Sequence, residues 1–226
     1  MNEFLTLPHI NVFGVIILEP FTVLTDLLIA AVCFWAYFKL KKEKYNDRVH
    51  RFFRMFLIGM GVATTIGGVL GHGFIYIWGK EAKIPGWYVS MFAIAMFERA
   101  AIMHSRPLMK KLVGDFFAIL NIVELLTFMT LAYITVEFIY VEIHAVYGLF
   151  IVVFSFELYV YYKTREKACL YLFTGTLLAA IAALSHGMRI AVNEWFNHND
   201  VSHVLMAGGM YYYYLYGKHL KIHTRK

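Results

Sequence analysis

The chain has 226 residues, of which 60% are hydrophobic and 16% charged, with a formal net charge of +6 and a mean hydropathy of +0.60. That composition excludes a soluble domain, which needs far more polar surface, and with no linker or low-complexity tract it leaves one membrane domain over residues 1–226. The positive charge sits in short clusters between apolar runs, so it argues against nucleic-acid binding and reads as a topology signal that also suits anionic lipid headgroups.

The opening stretch MNEFLTLPHINVF lacks a basic n-region and a small-residue cleavage site, so no cleaved signal peptide is expected. Seven apolar segments follow, at residues 21–39, 52–78, 87–105, 112–136, 139–161, 169–192 and 200–216. Each is long enough to cross a bilayer, and the expected fold is an all-α, seven-helix transmembrane bundle. Cys33 and Cys169 fall inside apolar runs and are expected as packed thiols.

The first segment is entered through EPFTVLTD, which places Glu19, Thr22 and Asp26 on one stripe of one helix. The loop after it carries Lys39, Lys41, Lys42, Lys44, Arg48, Arg51 and Arg54. The second segment ends with GGVLGHGF, where Gly68, Gly71 and Gly73 surround His72. These glycines suit close helix packing and also leave the imidazole accessible.

The third to fifth segments contain Glu98, Arg99, Asn121, Glu124 and Glu157. Buried charges need partners, so Glu98 or Glu124 is expected to pair with Arg99 in a structural role. The third loop carries Arg106, Lys110 and Lys111, and the fifth Lys163, Arg165 and Lys167. Glu142 and His144 lie one to two turns into the fifth segment.

The sixth segment closes with His186, Arg189 and Asn193, again spaced i, i+3 and i+7. The seventh opens with NHNDVSHVLMAGG, in which Asp200 and His203 share a face, and ends in YYYYLYG, read as an aromatic belt at the interface together with Trp87 and Trp195. Lys218, Lys221, Arg225 and Lys226 form a basic tail. The basic regions alternate, so they share one side, and the chain is expected to have its N-terminus outside and its C-terminus in the cytoplasm.

Depth along the helices brings Asp26, His72, Glu142, His186 and His203 to one level in the outer half of the bilayer. Ionisable groups facing lipid are costly, so these stripes are expected to face one interior cavity. Such a set suits a zinc ion with an open position for activated water. It also suits a proton or ion path, or a purely structural network. Haem ranks low for want of a mid-membrane histidine pair.

These residues resemble the motifs of the CREST superfamily of seven-helix membrane hydrolases, which includes alkaline ceramidases and progestin/adiponectin-type receptors. The chain looks like a divergent bacterial member, nearest the ceramidase branch. The first-helix pattern E-x-x-N-x-x-S-N resembles EPFTVLTD, with Thr22, Thr25 and Asp26 as replacements. The S-x-x-x-H pattern resembles GVLGH, with His72 kept and Gly68 in place of serine. The H-x-x-x-H pattern resembles the start of the seventh segment, with His203 kept and Asn199 at the first histidine.

The resemblance implies a zinc site and an amide or ester hydrolase acting on a lipid-like substrate in the plasma (inner) membrane. It carries over His72 and His203 as metal ligands; His186, Asp200, His198 or Asp26 are candidates for the missing one. Asp26 or Glu19 would act as general base or orient a ligand, and Arg189 would hold a headgroup or stabilise developing charge. A receptor-like binding protein, or a proton-coupled transporter or channel, are the alternatives on the same scaffold.

Overall fold

The computed structural model describes residues 3–223; Arg225 and Lys226 of the expected basic tail lie outside the described residues. The chain opens with a small antiparallel hairpin, β1 (His9–Val12) and β2 (Val15–Leu18), with His9 opposite Leu18. Sequence reading did not anticipate it. Every regular element after it is a helix.

The first helix, α1, spans Pro20–Lys42 and starts on a proline, whose missing N–H is an unneeded donor at that position. The second, α2, spans Arg48–Gly73. Asp47 caps it by accepting the His50 N–H at 2.9 Å, and its last turns, Gly67–Gly73, are wound as π-helix. Next come α3 (Ile84–Ser105) and α4 (Lys111–Thr135). Helix α5 (Ile139–Thr164) contains a second π segment at Tyr147–Val153. Helices α6 (Ala168–Gly187) and α7 (His198–His219) complete the bundle.

Five of these, α1, α2, α4, α5 and α6, are long and apolar enough to cross a membrane. Helices α3 and α7 occupy the third and seventh expected segments. Their hydropathy is lowered by Glu98 and Arg99 in one, and by three histidines and the tyrosine run in the other. Large apolar side chains such as Leu112, Phe116, Ile119 and Ile134 of α4 stand exposed, which suits lipid contact and would be a liability in water.

Two expectations need correction. Residues 188–192 are not helical: α6 stops at Gly187. The stop is a Schellman turn, with Ile190 N–H bonded to Ser185 O at 2.9 Å and Arg189 N–H to His186 O at 3.0 Å. Arg189 takes the left-handed position at φ 52°, without the glycine that usually marks it. The i, i+3, i+7 stripe of His186, Arg189 and Asn193 therefore does not exist. Second, the tyrosine run is not simply a belt. Tyr213 and Tyr216 are completely buried, and only Tyr211 stands exposed.

Those two tyrosines join the aromatic centre of the bundle. Phe56 stacks on Phe97 at 4.5 Å between centroids, and Phe97 meets Tyr213 edge-on at 5.0 Å. Phe53 meets Tyr216 edge-on at 5.5 Å. Cys33 and Cys169 are buried free thiols, as expected. Helix α7 packs on both α1 and α6, and α2 packs chiefly on α3.

The basic loops are tied together at one end. Tyr45 donates to Lys218 O, and Glu166 accepts the Lys221 N–H at 2.6 Å. The remaining acid–histidine pairs gather at the opposite end or between. Gly217 of α7 faces Phe53, and a Cβ there would overlap the ring. Gly217→Ala is therefore expected to destabilise the bundle by about 1–3 kcal/mol, outweighing the gain in helix propensity. Thermal unfolding of the detergent-solubilised protein checks this.

Candidate functional site

At the end opposite the basic loops, the hairpin delivers the chain into α1 through a strained residue. Glu19 is left-handed, φ 40° and ψ 56°, which costs a non-glycine residue on the order of 1–2 kcal/mol. Its N–H donates to Pro8 O at 2.8 Å. The bend aims its carboxylate at two helices. Oε2 accepts from His72 Nδ1 at 2.8 Å, and Oε1 accepts from Asn197 Nδ2 at 3.1 Å.

Burial pushes the Glu19 carboxyl up, but hydrogen bonding and charge from His72, the Lys83 ammonium and Asn197 hold it below the ordinary glutamate value. With Nδ1 engaged, the free nitrogen of His72 is Nε2.

Asp200 is completely buried and spends both oxygens locally. Oδ2 accepts the Asn197 N–H at 2.7 Å in a capping box, and Oδ1 accepts the Thr25 hydroxyl at 3.1 Å. Thr25 in turn lies 3.1 Å from His203 Nδ1. A His203 Nδ1–H to Thr25 Oγ to Asp200 relay satisfies every atom and leaves the lone pair on His203 Nε2. That nitrogen faces Asp26 Oδ1 at 3.7 Å, too far for a hydrogen bond. The rings of His72 and His203 are 6.4 Å apart.

Asp26, His72, His186 and His203 all line one cavity of about 600 Å³. Met206 and Met210 line it one and two turns below His203 on α7, and Met60 lines it about three turns below His72 on α2. The cavity is thus polar near one end and apolar in depth, the profile of an amphiphile.

Lys83 lines it too. Burial pulls its ammonium below the ordinary lysine value, against the attraction of Glu19 and Asp26. Lys83 sits in the short connection between α2 and α3, where nothing in the local sequence marks it as inward-facing. His186 pairs with Glu142 at 3.3 Å and lies 5.1 Å from the His198 ring, both near the mouth. Arg189 is exposed on its turn and does not line the cavity.

Gly68 shows how the resemblance departs here. A Cβ at position 68 would come within 2.7 Å of Asp26 Cβ and 3.3 Å of Val23 O. The serine of the S-x-x-x-H pattern has no room in this packing of α1 on α2.

Among the described residues, two groups of three bring potential metal-ligand atoms within 4.8 Å of one another: His104, Glu166 and His223, and Glu98, Glu124 and His144. Both can hold a divalent ion, and neither contains His72, His203, Asp200 or His186. The expected Arg99 pairing also gives way. Glu98 Oε2 accepts from Asn121 Nδ2 at 3.2 Å, and Glu124 pairs with His144. Arg99 is the flank of the same helix, and a neighbouring imidazole reached the carboxylate instead.

The group at the basic end is a clasp. His104 Nδ1 meets Glu157 at 2.9 Å and its Nε2 meets Lys221 O at 3.0 Å, while His223 Nε2 bonds Glu166 Oε2 at 2.8 Å. Burial raises the Glu166 carboxyl, but the His104 imidazole 3.6 Å away and hydrogen bonds from the Lys221 N–H and His223 bring it below the ordinary value. A depressed carboxylate stabilises the fold above its unfolded pKa, and that contribution is lost as pH falls through the folded value. The C-terminal segment is therefore expected to loosen in acid, from about pH 4.3 downward. Glu166→Gln should loosen it at neutral pH, at a cost of about 1–3 kcal/mol. Limited proteolysis of the C-terminus against pH reads both effects.

No curated protein and no solved structure matches the chain. One family model does match, that of a family of unknown function (DUF6962), and it covers residues 21–222. The match takes in the seven helices almost completely, with Asp26, His72, Lys83 and His203 of the cavity, and the chain belongs to this family of unknown function.

Proposed function

We propose that the chain is a seven-span protein of the plasma (inner) membrane that hydrolyses an amide or ester bond in a lipid-like amphiphile at a zinc-dependent site. The N-terminus lies outside and the C-terminus in the cytoplasm. The 22-residue helices α3 and α7 are about 33 Å long, enough to span with the other five. The shared basic end gives the orientation by the positive-inside rule.

One observation carries the chemical reading. Two cavity-lining imidazoles, His72 and His203, each have Nδ1 held by a carboxylate or a hydroxyl–carboxylate relay. This is how protein metal ligands are oriented, with the far nitrogen left bare. At His203 the bare nitrogen faces a second acceptor, Asp26 Oδ1, at 3.7 Å. Two acceptors face to face are relieved by a proton or by a metal ion between them, and their separation is near the roughly 3.4 Å between ligands of one tetrahedral ion. Bound zinc would supply an activated water near neutral pH.

The chain's own residues do the rest. Glu19 holds the His72 tautomer, and the Asp200–Thr25 relay holds that of His203. Asp26 serves as third ligand or takes the water proton. Lys83, rather than the exposed Arg189, holds an anionic headgroup or stabilises charge on the scissile carbonyl. Asp200 and His186 act through neighbours, one as cap and one at the mouth. The methionines deeper in the cavity accept a flexible chain. The resemblance to CREST hydrolases supports the same reaction class.

A second reading, binding without turnover, is favoured by the missing serine beside Asp26. Vesicle-reconstituted protein separates the two when given a long-chain N-acyl amide and a long-chain ester, with zinc added. Zinc-dependent product is expected from wild type and none from His72→Ala or His203→Ala, with Glu19→Gln about 10–100-fold weaker in zinc affinity. Equal product from wild type and variants refutes the hydrolytic site. Saturable amphiphile binding without product supports the second reading.

A further inference from the structure

A different cluster, deeper in the bundle, has unsatisfied chemistry of its own. Glu98 of α3, Glu124 of α4 and His144 of α5 are all buried, Glu98 and His144 completely. Each offers a ligand atom, and the three lie within 4.8 Å of one another. Oε1 of Glu98 and Oε2 of Glu124 accept no hydrogen bond among the described residues. A buried carboxylate oxygen without a donor is expensive, and here two sit in one cluster. The clasp at the basic end differs on this point, since Glu166 and His104 have both their polar atoms engaged.

The imidazole is set up for a ligand role. His144 Nε2 donates to Met91 O at 2.9 Å, and a carbonyl can only accept, so the proton on Nε2 is fixed. Nδ1 faces Glu124 Oε1. With no cation there, a proton must lie between them. A metal ion replaces that proton and uses Nδ1 directly, with the far N–H tied to a backbone carbonyl, the usual outer partner of a ligating histidine. Asn121 holds Glu98 in the same way, donating to Oε2 at 3.2 Å and to Ala95 O at 3.2 Å.

Space and charge agree. A Cβ on Gly148 would stand 2.7 Å from Glu98 Oε1, so the glycine in the π segment of α5 keeps that oxygen's surroundings open. Two carboxylates and a neutral imidazole balance one divalent cation, whereas one shared proton leaves net negative charge in an apolar interior. His144 also lines the cavity, which gives an ion a way in.

We propose that Glu98, Glu124 and His144 form a buried site for a divalent transition metal of the zinc or manganese class, with Asn121 as a positioning residue. Mixed carboxylate and imidazole donors suit those ions. The site stands apart from the His72–His203 reading and holds whether or not that one does.

The test uses full-length, detergent-purified protein carrying His72→Ala, His203→Ala and His223→Ala, which removes the other candidate ligands. After chelator stripping and dialysis against Zn²⁺ or Mn²⁺, mass spectrometry should find about one retained equivalent, as expected for a three-ligand site. Adding Glu98→Gln or Glu124→Gln should abolish retention, and Asn121→Leu should weaken affinity about 10–100-fold. Retention of neither metal by the triple variant overturns the proposal, as does equal retention after Glu98→Gln. Cobalt absorption gives a readout that needs no further variant. Bands of nitrogen- and oxygen-ligated Co²⁺ that vanish on adding zinc are expected, and a spectrum identical to free cobalt counts against the site. The wild type carries this site whatever happens to its turnover.

Discussion

An ionisable side chain inside a lipid-facing bundle must find its partner within the protein, and this constraint organises the whole interior. In most acid–base pairs among the described residues the base is a histidine: Glu19 with His72, Glu124 with His144, Glu142 with His186, Glu157 with His104, Glu166 with His223. Histidine can share a proton with a carboxylate and remain uncharged overall, so such a pair avoids much of the desolvation cost of a lysine or arginine pair. Most arginines and lysines collect at one end instead, where headgroups and water solvate them. The cavity, the clasp and the deep triad are three outcomes of the same rule.

The rule also explains what the sequence made legible. Long apolar runs marked the helices, and alternating basic loops marked the end they share, because both signals depend on transfer free energy alone. Depth along each segment placed Asp26, His72, His186 and His203 around one space, since 1.5 Å per residue is reliable within a helix. Where the backbone left the helix, spacing failed. Arg189 ends α6 in a left-handed turn that nothing in its own residue type announces. Lys83 turns inward from a loop whose path depends on how α3 packs. The partner of Glu98 was misjudged because adjacency in sequence puts Arg99 on a different face of α3, while Asn121 and His144 arrive from other helices.

The two π segments obey the same constraint. Gly67–Gly73 carries His72, and Tyr147–Val153 begins three residues after His144 and includes Gly148 beside Glu98. An extra residue per turn rotates the side chains that follow relative to an unbroken helix. Both insertions lie next to a polar cluster, and both include glycine, where the backbone comes close to a carboxylate. Spacing rules drawn from 3.6 residues per turn lose register across such turns, which is why S-x-x-x-H could align by sequence and still find Asp26 in the space its serine would need.

Helix α7 supplies Asn197, Asp200 and His203 to a site whose other half comes from α1 and α2. A membrane chain is inserted in order of synthesis, so Glu19, Asp26 and His72 enter the bilayer long before the residues that complete their hydrogen bonds exist. The polar pocket therefore closes last: its hydrogen bonds to Asn197, Asp200 and His203 form only once the final helix packs on α1.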